Sequence, residues 1–137
     1  MLATLLWLAS LLMTQSDAPS QPLVPEGVHS LASGPETICG ITGSSAADFE
    51  AQVKRAANAK YNNETDRYVT YEGPMPLTLW AFAKPSNSTY PLATCMRVYV
   101  EDGQTYTERK MRCDASRGAC DRAFLEFKEL DSRVLGH

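Results

Sequence analysis

Residues 92–113 read LATCMRVYVEDGQTYTERKMRC and carry the clearest structural signal in the chain. The segments on either side of Asp102-Gly103 are rich in β-branched and aromatic residues, which favour strands. An Asp-Gly pair between two such segments is the strongest short-range signal for a two-residue β-hairpin. We therefore predict antiparallel strands at 92–101 and 104–113.

The two-residue turn also fixes which residues face each other. Counting outward from the turn gives the facing pairs Tyr99–Tyr106, Arg97–Glu108, Cys95–Lys110, Met96–Arg109 and Thr94–Met111. Aromatic pairs and opposite charges at such positions stabilise a sheet. We expect the more apolar face to pack on the core, and its residues are Leu92, Met96, Val98, Val100 and Met111.

Two further strands and a helix precede this hairpin. Residues 67–72 and 77–83 are rich in strand-forming types, and the second run is apolar enough for both of its faces to be covered. Ser45-Ala46-Ala47-Asp48 resembles a capping box, and apolar residues then recur at steps of three and four. This spacing predicts a helix over residues 45–61.

The segment after the hairpin is ambiguous. Residues 114–119 form a predicted loop, and residues 121–130 fit either a helix or a fifth strand, of which we favour the strand. The predicted fold class is α+β. One N-terminal helix packs on an antiparallel meander of four to five strands that is stabilised by disulfides.

The N-terminal residues predict export. Residues 1–16 combine a short uncharged apolar run with small residues after it, which is typical of a cleaved signal peptide and too short to span a membrane. Residues 17–37 hold four prolines and three acidic residues and predict a disordered leader. Residues 38–137 then form a single folded domain of a secreted, extracellular protein.

Export makes disulfides the expected state of the four cysteines. The hairpin register places Cys95 and Cys113 on opposite faces, which disfavours a bond between them. Two pairings remain open, Cys39–Cys95 with Cys113–Cys120, or Cys39–Cys113 with Cys95–Cys120. We favour the first, because Cys113 and Cys120 close a short loop.

Export also makes two sequons relevant as glycosylation sites. Asn63-Glu64-Thr65 and Asn87-Ser88-Thr89 both satisfy the acceptor pattern. We predict glycans at Asn63 and Asn87.

The chain has few residues of the types that usually carry out catalysis. Its two histidines are His29, in the predicted leader, and His137, the last residue, and it has no Cys-x-x-Cys motif. We therefore expect no enzyme activity, no metal and no cofactor. The net charge of −3 argues against nucleic acid as a partner.

Binding is the remaining class of function. Trp80, Phe82, Tyr99 and Tyr106 lie on predicted strands and are candidates to line a ligand pocket. Arg109, Lys110 and Arg112 belong to the main charge cluster, which could attract a sulfated glycan.

Residues 45–113 resemble tick salivary lipocalins of the histamine-binding type. The resemblance is carried by residues 77–84, by Ala93-Thr94-Cys95-Met96-Arg97-Val98 and by Gln104-Thr105-Tyr106-Thr107. It implies a salivary protein with a partial or complete barrel that captures a small apolar or amphipathic ligand.

The architecture is also similar to the cystatin fold, in which one helix precedes an antiparallel meander. Ala59-Lys60-Tyr61-Asn62 looks like the end of a cystatin helix, although the Gln-x-Val-x-Gly motif of that family is absent. The cystatin resemblance implies a second function, a protein-binding module that blocks a host protease or defence protein.

Overall fold

The computed structural model describes residues 34–134 of the chain. The predicted signal peptide and the predicted leader up to residue 33 lie outside these residues, as does His137. The elements in chain order are β1 (Glu36–Ile38), β2 (Ile41–Gly43), α1 (Ala46–Arg55), β3 (Lys60–Glu64), β4 (Tyr68–Glu72), β5 (Thr78–Ala83), β6 (Leu92–Glu101), β7 (Gln104–Cys113) and α2 (Arg117–Val134).

Strands β3 to β7 form one antiparallel sheet in which each strand pairs with the next in sequence. Strands β1 and β2 form a separate two-stranded hairpin. The α+β class with an antiparallel meander is confirmed, and the meander has five strands. The predicted strands at 67–72 and 77–83 correspond to β4 and β5.

The hairpin of β6 and β7 has the predicted bounds and the predicted register. Glu101 pairs with Gln104, Tyr99 with Tyr106, and Arg97 with Glu108. Both turn residues have positive φ, 51° at Asp102 and 77° at Gly103. A two-residue turn of type I′ requires positive φ at both positions. Local turn chemistry therefore sets the register of the longest strand pair.

The disulfides are Cys39–Cys95 and Cys113–Cys120. The favoured pairing is thus confirmed. The first bond ties the β1–β2 hairpin to β6. The second links the end of β7 to the first turn of α2.

The sheet has a hydrophobic cluster on each face. On one face α1 and the β1–β2 hairpin pack against the sheet, and the cluster contains Ile38, Ile41, Ala46, Phe49, Val53, Trp80, Phe82, Ala93 and Cys95. On the other face α2 packs against the sheet, and the cluster contains Ala81, Ala83, Leu92, Met111, Cys113, Cys120, Ala123 and Phe127.

The expectation that only one face of the β6–β7 hairpin packs on the core was therefore wrong, whereas the expectation that both faces of residues 77–83 are covered is confirmed. Ala93 and Cys95 are fully buried on the face that was expected to be outside. On the expected core face, Leu92 and Met111 are buried, but Val100 is exposed because it lies near the hairpin tip, beyond β5. Covering both faces needs two layers, and the second layer is α2, which the sequence offered only as the less favoured alternative to a strand.

The preferred strand at 121–130 was wrong as well. These residues belong to α2, which also takes in the end of the predicted loop at 114–119. The residues of α2 that face the sheet recur at helical spacing, and they are Ala119, Cys120, Ala123, Phe127 and Asp131. One of them, Asp131, is charged, so the sequence does not show a continuous apolar face for this helix.

The predicted helix at 45–61 begins correctly but ends too late. Ser45 is its N-cap, and its side chain accepts a hydrogen bond from the backbone of Asp48. The helix stops at Arg55, because Ala56 takes an extended conformation with ψ of 127°. Residues 60–64 instead form β3, which pairs with β4 at the edge of the sheet.

The described fold includes residues before Ile38. Glu36 and Thr37, the last two residues of the predicted leader, lie in β1 and pair with Gly43 and Thr42. The carbonyl oxygen of Gly34 accepts a hydrogen bond from the Arg112 side chain. These contacts fasten the start of the described chain to β7.

Candidate functional site

The β6–β7 hairpin extends beyond the rest of the sheet. Strand β5 pairs with β6 only from Ala93 to Arg97, and one further hydrogen bond joins the Val98 amide to the Leu77 carbonyl oxygen at 2.9 Å. Beyond that point, the two strands pair only with each other. A two-stranded tip therefore projects from the sheet, and within residues 34–134 neither of its edges pairs with another strand.

Two tyrosines and an arginine stack along the base of this tip. The rings of Tyr99 and Tyr106 are stacked with their centroids 5.5 Å apart. The Arg97 guanidinium lies 5.0 Å from the Tyr99 ring centroid and pairs with Glu108 at 3.2 Å. The stack holds the aromatic surface in one orientation, which lowers the entropy cost of using it in binding.

Two exposed aliphatic side chains lie at the same end of the sheet, and Val100 is on the opposite face of the hairpin from the Tyr99–Tyr106 stack, because successive strand residues alternate between faces. Val100 is 67% exposed, and Leu77, at the end of the loop that carries Met75, is 68% exposed. Leu77 also has a φ of 57°, a left-handed conformation that costs free energy for any residue but glycine. An exposed leucine held in a strained conformation is the kind of feature that clusters at functional sites.

We call this region the hairpin end and define it by Met75, Leu77, Arg97, Tyr99, Val100 and Tyr106. Tyrosine and arginine are enriched where proteins bind other proteins. The hairpin end therefore has the composition of a protein-binding surface.

A small cavity lies at the base of the hairpin, on the side of the Cys39–Cys95 disulfide. Its volume is about 270 Å³, and its lining includes Thr37, Gly40 and Met75. Charged groups form the remaining wall, where Glu108 lies 3.2 Å from Arg97 and 3.7 Å from Lys110. The cavity is smaller than the usual range of about 300–1,000 Å³ for small-molecule sites.

The structure does not bring the four predicted pocket residues together. Trp80 and Phe82 are 0% and 1% exposed, and Trp80 stacks on both Phe82 and Phe49 in the core. Tyr99 and Tyr106 lie instead at the hairpin end. The predicted set therefore divides into two core residues and two surface residues.

The three residues predicted to bind a sulfated glycan, Arg109, Lys110 and Arg112, do not lie on one surface either. Arg109 points to the α2 side and pairs with Asp131. Arg112 is buried on the opposite side, where it binds Asp114 and the carbonyl oxygens of Gly34 and Ser44. Of the three, only Lys110 has an exposed side chain, so the cluster seen in the sequence does not form one basic surface.

The two sequons differ in their surroundings. Asn63 is exposed on β3 at the edge of the sheet. Asn87 is half-buried, and its side chain donates to the Arg67 carbonyl oxygen and accepts from the Thr89 amide. Glycosylation of Asn63 and Asn87 stays a prediction from the sequence.

Sequence reasoning missed Leu77, Val100 and Arg97 as site residues. A signal for the projecting tip was present, because the ten residues of β6 exceed the six of β5. The exposure of Leu77 had no such signal. It depends on the turn that joins β4 to β5.

Three further observations on residues 34–134 concern cysteine pairing, metal binding and membrane spans. All four cysteines are in disulfides. No group of three or more His, Cys, Asp or Glu side chains in this range is arranged to hold a metal ion. No helix in the same range is long and apolar enough to cross a membrane.

No protein family, curated protein or solved structure matches this chain. Its function is therefore inferred from its own fold and surface.

Proposed function

We propose that this protein is a secreted, non-enzymatic binding module that recognises a folded extracellular protein through its hairpin end. The observation that carries the proposal is the stack of half-buried Arg97 and Tyr99 with exposed Tyr106, on a hairpin that projects beyond the sheet. A projecting, rigid aromatic surface is suited to enter a concave site on a partner.

Two disulfides in so small a domain support the extracellular setting. The Cys39–Cys95 bond lies under the base of the hairpin and anchors it to the β1–β2 hairpin. A surface that is already rigid before binding loses little conformational entropy in the complex. The disulfide framework is thus consistent with a preorganised binding surface outside the cell.

Capture of a small amphipathic ligand, which the lipocalin resemblance implies, is the less supported alternative. Trp80 and Phe82 fill the core instead of lining a pocket. The cavity near the hairpin is small, and Arg97, Glu108 and Lys110 form part of its wall. An apolar ligand would have to displace the water around these charges.

A matched pair of leucine variants tests the proposal. Leu77→Ser alters the hairpin end, whereas Leu125→Ser alters a similarly exposed leucine, at 63%, on α2. The immobilised protein is incubated with plasma, and captured proteins are identified by mass spectrometry. We expect Leu77→Ser and Tyr106→Ser to reduce capture of a specific protein by at least about tenfold, and Leu125→Ser to leave it unchanged.

Equal capture by Leu77→Ser, Tyr106→Ser and the native protein would contradict the proposal. Native mass spectrometry of the secreted protein gives an independent reading. A non-covalent small-molecule adduct that is released on denaturation would favour the alternative. A bare monomer or oligomer mass would leave protein binding as the better account.

A further inference from the structure

Strand β7 is the last strand of the sheet, and its outer side has backbone groups without partners. The Asp114 amide donates to the Pro91 carbonyl oxygen at 2.9 Å, which shows that even-numbered residues of β7 direct their backbone groups toward β6. The odd-numbered residues direct theirs outward, and these are Thr105, Thr107, Arg109, Met111 and Cys113. Within residues 34–134, no hydrogen bond uses those outward groups.

The opposite edge of the sheet is protected. Strand β3 has five residues and an irregular register between Tyr61 and Asn63. Asn63 is also the first residue of a sequon. Short length, irregular pairing and bulky or charged side chains are devices that prevent edge pairing. Strand β7 has ten residues in unbroken register and contains no proline, so charge is the one such device it carries, with both signs present at Glu108, Arg109, Lys110 and Arg112.

We propose that β7 pairs antiparallel with β7 of a second copy of this chain, about a two-fold axis at Arg109. This arrangement joins the two five-stranded sheets into one continuous sheet of ten strands. It uses outward backbone groups on both copies, because residue 107 then faces residue 111 and residue 109 faces itself. The inference does not depend on the proposed function.

Charge complementarity selects this register. With the axis at Arg109, Glu108 faces Lys110 of the second copy, and the same pair forms twice, in addition to the contacts of Glu108 with Arg97 and Lys110 of its own chain at 3.2 and 3.7 Å. A shift of the register by two residues in one direction places Glu108 opposite itself, and the opposite shift places Lys110 opposite itself. Opposite charges across a strand pair stabilise it, and like charges destabilise it.

The arginines at the axis do not oppose this register. Arg109 faces its own copy, but within each chain its Nε and Nη2 atoms bind Asp131 at 2.6 and 2.7 Å. Its charge is therefore largely compensated before the two copies meet. Because the strands run in opposite directions, the two hairpin ends would point to opposite ends of the dimer.

Charge reversal tests the proposal. The secreted full-length protein is studied by analytical ultracentrifugation up to about 100 µM. We expect a dimer whose dissociation constant rises at least about tenfold in Glu108→Lys and in Lys110→Glu, because each change places like charges opposite each other. The double variant Glu108→Lys with Lys110→Glu restores opposite charges and should restore the dimer.

A second variant tests the backbone contacts. Thr107→Pro removes an outward amide and leaves the bonds to β6 in place, so it should abolish the dimer while circular dichroism and both disulfides stay native. A monomer at all concentrations would overturn the proposal. So would a dimer that is insensitive to Thr107→Pro, or one that the double charge variant fails to restore while remaining folded.

Discussion

Arg109 of β7 and Asp131 of α2 form a two-point ion pair, with Nε to Oδ2 at 2.6 Å and Nη2 to Oδ1 at 2.7 Å. The two side chains are only 10% and 12% exposed. Arg109 also donates to Thr94 and lies 4.5 Å from the ring centroid of Phe127. The pair therefore fixes α2 against the sheet through one buried polar contact.

Replacement of Asp131 by alanine should be strongly destabilising. It leaves the Arg109 guanidinium buried without its counter-charge, and breaking a buried pair in this way costs about 3–5 kcal/mol. We expect a loss near the lower end of that range in the free energy of unfolding, measured by urea denaturation at neutral pH.

The control for this variant lies on the same helix. Glu129 pairs with Arg133 at the same 2.6 Å distance, but both side chains are mostly exposed. Glu129→Ala should therefore cost less than about 1 kcal/mol, as exposed ion pairs do. Equal losses in the two variants would show that burial does not set the strength of the Arg109–Asp131 contact.

The two disulfides should contribute unequally to stability. Cys39 and Cys95 are 56 residues apart in sequence, whereas Cys113 and Cys120 are 7 apart. In the chain-entropy account, closing the longer loop stabilises the fold by about 4 kcal/mol and the shorter by about 2.5 kcal/mol. Paired Cys→Ser variants, compared by urea denaturation, should keep this order, and a reversed order would contradict the entropic account.

The sequence predicted the β6–β7 hairpin residue by residue because its information is local. Asp102-Gly103 sets the turn, the turn sets the register, and the register excludes a Cys95–Cys113 bond. No distant contact is needed for any of these steps. The same reasoning placed Ser45 at the start of α1, because a helix cap also depends only on its neighbours.

Local patterns did not predict helix α2 or the end of α1 correctly. Asp131 occupies a core-facing position of α2, and its burial depends on Arg109, which lies 22 residues earlier. Residues 60–64 leave the helical pattern because they pair with β4. In both places a tertiary contact overrides the local pattern, as is common where intrinsic preferences are weak.

The candidate site was predicted only in part. Tyr99 and Tyr106 were identified because aromatic residues on strands are candidates to line a binding site. Trp80 and Phe82 were identified by the same criterion, but only packing distinguishes a core aromatic from a surface one. Leu77 is exposed because of the conformation of the preceding turn, which no residue pattern specified.

Gly73 lies where that turn begins, and a side chain there should be poorly tolerated. Its φ is +85°, and an added Cβ atom would lie 2.8 Å from the carbonyl oxygen of Asn58. We expect Gly73→Ala to cost about 1 kcal/mol for the left-handed backbone and roughly 1–3 kcal/mol more for the collision.

Gly103 provides the matched control for Gly73. It has a similar φ of +77°, but nothing lies within 4 Å of an added Cβ atom. Gly103→Ala should therefore show only the backbone cost of about 1 kcal/mol. Thermal or urea unfolding of both variants measures the difference. If the two variants lose the same stability, the turn at Gly73 relaxes around the new methyl group.

Asp48 should contribute to the acid sensitivity of the fold. The Ser44 amide donates to its Oδ2 at 3.0 Å, and this hydrogen bond is the main reason that the pKa of the Asp48 carboxyl is lowered from its ordinary value. A group whose native pKa is lowered stabilises the fold above its unfolded pKa, about 3.9 for Asp. That contribution is lost as the pH falls through the lower native pKa.

Asp48→Asn should therefore show a smaller loss of stability between pH 7 and pH 2 than the native protein. Ser45→Ala is the control, because it removes the neighbouring helix cap but no titrating group. It should lower stability by about 1 kcal/mol at every pH and leave the slope unchanged. Urea denaturation across this pH range gives both slopes, and a native-like slope in Asp48→Asn would rule out the Ser44–Asp48 hydrogen bond as a source of acid sensitivity.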